Sequence, residues 1–272
     1  MKLAHPLSFY WQGLATSQRI GVGMLIGFAL TLLLGPMLVS VDPGHQDLSR
    51  SLAPIGGDYV LGSDQFGRSS ATRLLFGARL SIALSLLAAF TAAVPGTLLG
   101  LIAASYGGWV DRVLTSFADC MVAIPGLLLV LLFSAFAPGD YLPLYLGFSL
   151  FLWVEFFRVA RASASATLVM PHVEAAYLLG FGKWHVLFRY VLPPLLPRLR
   201  TLAAFTVSTV IVGLATLGAV GVGVHPPTPE LGSILIDLMP YYAEAPLQLM
   251  LPGAVIFLFV LALQLASGQV KR

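Results

Sequence analysis

The stretch "PHVEAAYLLGFGKWHVLFRYVLPPLLP" runs from Pro171 to Pro197 and carries Glu174, Lys183, Arg189, two histidines and four prolines. The chain around it has a very different composition. Over 272 residues it is 58% hydrophobic and 10% charged, with a mean hydropathy of +0.89. Soluble domains carry about 25% charged residues, which excludes a soluble globular chain and points to an all-α, multi-span membrane protein. The polar interruption at Pro171 is therefore the feature that needs a reason.

Outward from that stretch, six segments are long and apolar enough to cross a bilayer, which takes about 20 residues at about 1.5 Å each. They are Ile20 to Val41, Leu80 to Ala104, Val113 to Phe136, Tyr141 to Val159, Leu202 to Val224 and Leu247 to Ala266. The first is too long for a signal-peptide core and is not followed by a clear small-residue cleavage site, so it reads as an uncleaved span. The single cysteine, Cys120, leaves no intrachain disulfide. With the N-terminus inside, 11 of the 15 basic residues fall on the cytoplasmic side; Arg50, Arg68, Arg73 and Arg79 fall outside. Eight of the 12 acidic residues are also outside. This asymmetry favours two cytoplasmic termini and puts the Pro171 stretch in the longest cytoplasmic loop.

Read physically, the stretch is amphipathic. Pro171 suits a first helical turn, and Glu174 sits where the helix dipole favours a carboxylate. Val173, Ala176, Tyr177, Gly180, Phe181, Trp184 and Phe188 recur at spacings of three and four, which makes an apolar stripe. Gly180 and Gly182 predict a bend between two short helices, and Pro193 with Pro194 is expected to end the pattern. Such a stripe has three possible covers: lipid headgroups, the chain's own spans, or a groove on a partner protein. The periodicity does not choose among them.

Glu174-Ala175-Ala176, three residues, Gly180, nine residues, Tyr190, Val191 and Leu192-Pro193 resemble the EAA loop of ABC importer permeases. Tyr190 stands where an aliphatic residue is usual, a departure that fits the peptide/nickel branch. "LGSDQFGRSSATRLLFGARLS" (61–81), "YGGWVDRVLTSFADCMVAIPGLLL" (106–129) and "PPTPELGSIL" (226–235) resemble that branch too, and the first of them resembles the second, C-type permease. The resemblance covers roughly residues 20–266; the tail "QLASGQVKR" departs from it.

The resemblance implies a type I importer permease fold and a heterodimer with a homologous permease. It also implies two cytoplasmic ATPases that hold ATP and magnesium, an extracytoplasmic solute-binding protein, and alternating access in a bacterial inner membrane. No cofactor is expected in this chain. The loop would be the helix that docks into the ATPase, which implicates Val173, Glu174, Ala175, Ala176, Tyr177, Gly180, Phe181, Trp184, Leu192 and Pro193. Val173, Tyr177, Phe181 and Trp184 are the expected apolar contacts. Gly180 is the bend where a side chain would clash, and Glu174 is a cap or the partner of a basic residue. Dipeptides, oligopeptides, nickel and metal chelates all remain open as cargo.

Charged residues inside spans usually face protein or water. Asp119 reads as a packing partner, a subunit-interface residue or part of the translocation path. Glu155 is expected to pair with Arg158, three residues on. Pro95, Gly96 and Pro125 interrupt regular helix bonding. Residues 68–79 are expected to form a separate interfacial helix, its arginines near headgroups or Asp64. No H-E-x-x-H, paired cysteine ligands, G-x-S-x-G or phosphate-loop Lys-Ser/Thr is present, so ATP hydrolysis and metal chemistry are not expected here. Scattered basic residues argue against nucleic-acid binding. The expected division is a cytoplasmic N-terminus (1–19), a first span (20–41), an outer loop (42–79), a five-helix core (80–266) containing the cytoplasmic loop 164–200, and a tail (267–272). The competing function is an ATP-independent channel or secondary transporter built on the same bundle.

Overall fold

A computed structural model describes residues 15–38, 42–56, 59–225 and 227–268. The expectations for Lys2, Val41, Asp58, Pro226, Lys271 and Arg272, and for most of the two terminal segments, lie outside these residues. The helices are α1 (Thr16–Leu38), α2 (Ser70–Tyr106), α3 (Gly108–Val122), α4 (Gly126–Ser134), α5 (Tyr141–Leu168), α6 (Pro171–Leu178), α7 (Lys183–Val186), α8 (Leu192–Ala219), α9 (Leu231–Leu238) and α10 (Pro246–Ser267). Among the described residues there is no β-strand, only two isolated bridges. Among the described residues five helical stretches are long and apolar enough to cross a membrane, or six if the bent pair α3–α4 is counted as one broken span.

The chain forms two compact units, one of residues 1–83 and 211–272 and one of residues 84–210. These units cut across the expected first span and five-helix core, which are divisions along the chain. The cause is α10, which packs on α1: a side chain at Gly21 would overlap the backbone at Ala262 and Ala266, and the rings of Phe28 and Phe259 meet edge to face at 5.3 Å. Small residues let apolar helices approach this closely. The other flank of α1 is exposed, including Leu33 and Met37, as suits a surface solvated by lipid.

The segment that leads into α2 in the first unit is held by charge. Asp64 accepts from the Arg68 side chain at 2.6 Å and from Arg73. Arg73 also reaches Asp237 of α9 at 3.1 Å. Asp64, Arg68 and Arg73 are all buried, so each charge depends on the others for its compensation. The expected separate interfacial helix is not found. Ser70 begins one continuous helix that runs through residue 80 to Tyr106, and Arg68 and Arg73 face Asp64 and Asp237 instead of headgroups. Buried Glu230 caps α9 through the Gly232 and Ser233 amides and accepts from the Ser81 hydroxyl. At the loop's surface, the Ser49 hydroxyl donates to Asp47 and holds that carboxyl below its usual range.

The second unit is built by close backbone approach. A side chain at Gly96 would overlap the Trp153 carbonyl, and one at Gly100 would come within 2.6 Å of the Phe157 carbonyl oxygen. The expected span Val113–Phe136, interrupted at Pro125, is two helices bent by 75°. Pro125 has an extended ψ of 126° and caps α4; it has no N–H with which to continue α3. Pro193 and Pro194 do not end their helix. A π-helical turn, Leu187–Val191, precedes them, and the Leu192 amide donates to the Leu187 carbonyl five residues back. The prolines follow this turn, where the bonding register shifts, and the helix continues through them as α8.

Candidate functional site: the loop between α5 and α8

Met170 adopts an extended conformation at the N-cap of α6, and Pro171 opens the helix. Glu174 lies exposed in the first turn and makes no capping bond. Val173 and Ala176 turn inward. They join Leu101, Ala160, Ala164, Val186, Leu187, Val191 and Leu195 in one apolar cluster. Val173 is fully buried, which corrects its assignment as an ATPase contact: this part of the stripe is covered by the chain's own spans.

The end of α6 is a Schellman motif. The Gly180 amide donates to the Tyr177 carbonyl at 3.0 Å and the Phe181 amide to the Ala176 carbonyl at 3.2 Å. Gly180 has φ +84°, and a side chain there would meet nothing within 4 Å. Within this chain, then, the left-handed backbone is what favours glycine here. Lys183 opens α7 with its ammonium 4.5 Å from the centre of the Tyr106 ring, which ties the loop to the end of α2. Phe181 stacks on His185 at 4.7 Å and Trp184 on Phe188 at 6.1 Å.

This leaves an apolar outer surface. Tyr177, Phe181, Trp184 and Phe188 are exposed, and Leu178 and Leu179 are 84% and 77% exposed. These two leucines were not singled out in the sequence because they fall off the three-four stripe; the Tyr-Leu-Leu run just before Gly180 was the available signal. Ala175 and Pro193 are exposed and Leu192 is half-buried. The loop thus has an inner face that anchors it and an outer face that no described residue covers.

A second group lies on α3 and α5. Asp119 accepts from Arg158 at 2.7 Å, and both side chains are more than half exposed. Asp111 is paired with Arg161, and Arg198 donates to the Ser163 hydroxyl at 2.9 Å. The expected Glu155–Arg158 pair is not formed; Asp119, reaching across from α3, takes the guanidinium instead. Among the described residues no cluster of three or more His, Cys, Asp or Glu is arranged to hold a metal.

The profile of the family described as "Binding-protein-dependent transport system inner membrane component" matches residues 96–268. The chain is 31% identical to the dipeptide transport system permease protein DppC of Haemophilus influenzae over 98% of this chain and 93% of that protein. It is 32% identical to the di/tripeptide transport system permease protein DppC of Pseudomonas aeruginosa over 98% and 90%. It is 31% identical to the glutathione transport system permease protein GsiD of Pectobacterium atrosepticum over 78% and 70%. In fold it is similar to a chain of the MetNI methionine ABC transporter in an inward-facing crystal form, with a TM-score of 0.56 at 20% identity, covering 74% of this chain and 97% of that one.

The chain belongs to the family of binding-protein-dependent transport system inner membrane components. Within it, the near-full-length similarity to DppC proteins places the chain with the C-type permeases of peptide-class ABC importers. It is a multi-pass inner-membrane permease subunit with the type I importer fold, and it is not itself a catalyst. ATP hydrolysis in such transporters resides in a separate subunit.

Proposed function

We propose that this chain is the second permease of a peptide importer. It pairs with a homologous permease, two cytoplasmic ATPases and an extracytoplasmic solute-binding protein, with both termini in the cytoplasm. ATP and its magnesium are held by the ATPases, and no cofactor belongs to this chain. Peptides are the favoured cargo because the near-full-length relatives are dipeptide and di/tripeptide permeases; nickel has no comparable support.

The observation that carries the reading is the uncovered apolar face of the α6–α7 loop, mounted on a buried anchor. Tyr177, Leu178, Leu179, Phe181 and Trp184 make a surface suited to an apolar groove on the ATPase. Val173 and Ala176 transmit its position to α5 and α8 through the shared core. Docking alone moves nothing. The loop must fit the ATP-closed arrangement better than the open one, and that difference in fit drives the two permeases between outward- and inward-open states. Asp119 and the break at Pro125 lie along that moving path.

The test is Gly180→Asp in the purified complex. The chain is expected to remain in the membrane, while peptide-stimulated ATPase activity is lost. Wild-type coupling in this variant would remove the loop from the mechanism. Failure of any ATPase subunit to copurify with the wild-type chain would remove the importer reading itself.

A further inference from the structure

The two halves of the bent span are fastened to α5 by different means. α4 is packed tightly: a side chain at Gly147 would come within 2.8 Å of the Val130 backbone, and one at Gly126 within 2.5 Å of the Phe151 ring. Leu129 and Val130 are buried. α3 has a single buried side chain, Ala118. It is held instead by one ring contact, Phe117 on Trp153 at 5.7 Å, and by two ion pairs, Asp111 with Arg161 and Asp119 with Arg158. These two kinds of attachment respond differently to displacement. Close packing loses much of its attraction over a gap of about 1 Å, whereas the attraction between charges falls only as the inverse of their separation. α4 is thus a fixed joint on α5, and α3 a compliant one.

α3 is also bounded by a break at each end. Gly107 and Gly108 both adopt left-handed backbone, with φ +59° and +53°, and a side chain at either would meet nothing within 4 Å. Glycine has the widest freedom to change φ and ψ. Pro125 sits at the 75° turn at the other end. Tyr106, the last residue of α2, directly precedes the glycine pair. Its ring is the one that carries Lys183 of the α6–α7 loop at 4.5 Å. All these residues belong to the second unit.

We propose that α3 is a hinged arm, which the α6–α7 loop drives through Lys183 and Tyr106. This rests on the reading of the loop as the ATPase-docking element. When ATP closes the ATPases, the displaced loop carries the Tyr106 ring with it, and the backbone rotates at Gly107–Gly108 and at Pro125. α3 then shifts on α5 with its ion pairs stretched but kept, while α4 stays in place. Val173 and Ala176 belong to the apolar anchor; Tyr106 is a separate positioning residue, and what it positions is α3.

The experiment uses the intact transporter in proteoliposomes, in a Cys120→Ser background with the other subunits free of cysteine. Spin labels are placed on α3 and α5 (Val113→Cys with Ser165→Cys) or on α4 and α5 (Leu128→Cys with Leu142→Cys), all at exposed positions. Binding of a non-hydrolysable ATP analogue is expected to change the first distance by about 2 Å or more, the scale of helix shifts in switching proteins, and to leave the second unchanged. Tyr106→Leu removes the ring that Lys183 meets. It is expected to abolish the α3 shift and to lower peptide-stimulated ATPase activity about five-fold, the equivalent of one cation–π contact of about 1 kcal/mol. The ATPase is expected to bind this variant with the wild-type Kd. Tyr106→Phe keeps the ring and is expected to keep both the shift and the coupling. An unchanged first distance in the wild type, or both distances changing together, overturns the arm and leaves the docking reading standing. Full coupling or weakened ATPase binding in Tyr106→Leu, or lost coupling in Tyr106→Phe, overturns the role of Tyr106. Failure of the ATPase to bind the wild-type permease pair overturns the docking reading itself.

Discussion

Val173→Ala and Trp184→Ala test the division of the α6–α7 loop into an anchor and a docking face. The two residues belong to one apolar stripe in sequence, but Val173 is fully buried and Trp184 is 52% exposed. Val173→Ala removes two methyl groups from a closed cluster. At about 0.8 kcal/mol per buried carbon plus a cavity contribution, this destabilises the fold by about 2 kcal/mol. Trp184→Ala removes an exposed ring, and folding stability is expected to stay within about 0.5 kcal/mol of wild type. If that ring is a docking anchor, its loss weakens ATPase binding by about 2 kcal/mol, or about 30-fold in Kd. The measurements are thermal unfolding of the purified permease pair and titration of the permease pair with purified ATPase. The expected result is a lowered unfolding midpoint with near-normal binding for Val173→Ala, and the reverse for Trp184→Ala. Reversed effects, or equal loss of binding with no loss of stability in both, would refute the assignment of inner and outer faces.

Two further variants probe the scaffold. Arg73→Gln leaves Asp64 and Asp237 short of a cation in a buried site, and is expected to cost about 3–5 kcal/mol, read as a lowered thermal midpoint and reduced membrane abundance. Gly100→Val places a side chain against the Phe157 backbone, where even a Cβ would come within 2.6 Å of the carbonyl oxygen. It is expected to cost about 3 kcal/mol at that helix crossing, and unaltered stability would mean that α2 and α5 are less tightly apposed than the structure has them.

Much of the molecule was legible because its signals are local. Length and apolarity located the five long apolar helices and the bent pair α3–α4 to within a few residues at most ends, since a bilayer fixes how long an apolar helix must be. The bend at Gly180 was legible because few residues other than glycine tolerate a left-handed backbone. The open space around it was not legible, since what a Cβ would meet is set by distant chain. Pro125 was visible as an interruption, but not as a 75° turn, because a missing N–H says that a bond is lost and not where the helix goes next.

What the sequence by itself determined was the class of molecule, where its apolar helices lie, and which loop carries an apolar stripe. These depend on composition and period, properties of neighbours along the chain. Tertiary structure alone decided how that stripe is shared: Val173 and Ala176 to the chain's own core, Tyr177, Phe181 and Trp184 to the outside. It also decided that Arg158 goes to Asp119, thirty-nine positions away, and leaves Glu155 unpaired. Helical spacing places residues on a face, but charges and apolar surfaces are satisfied by whatever packs against that face, and that is fixed only when separate helices meet.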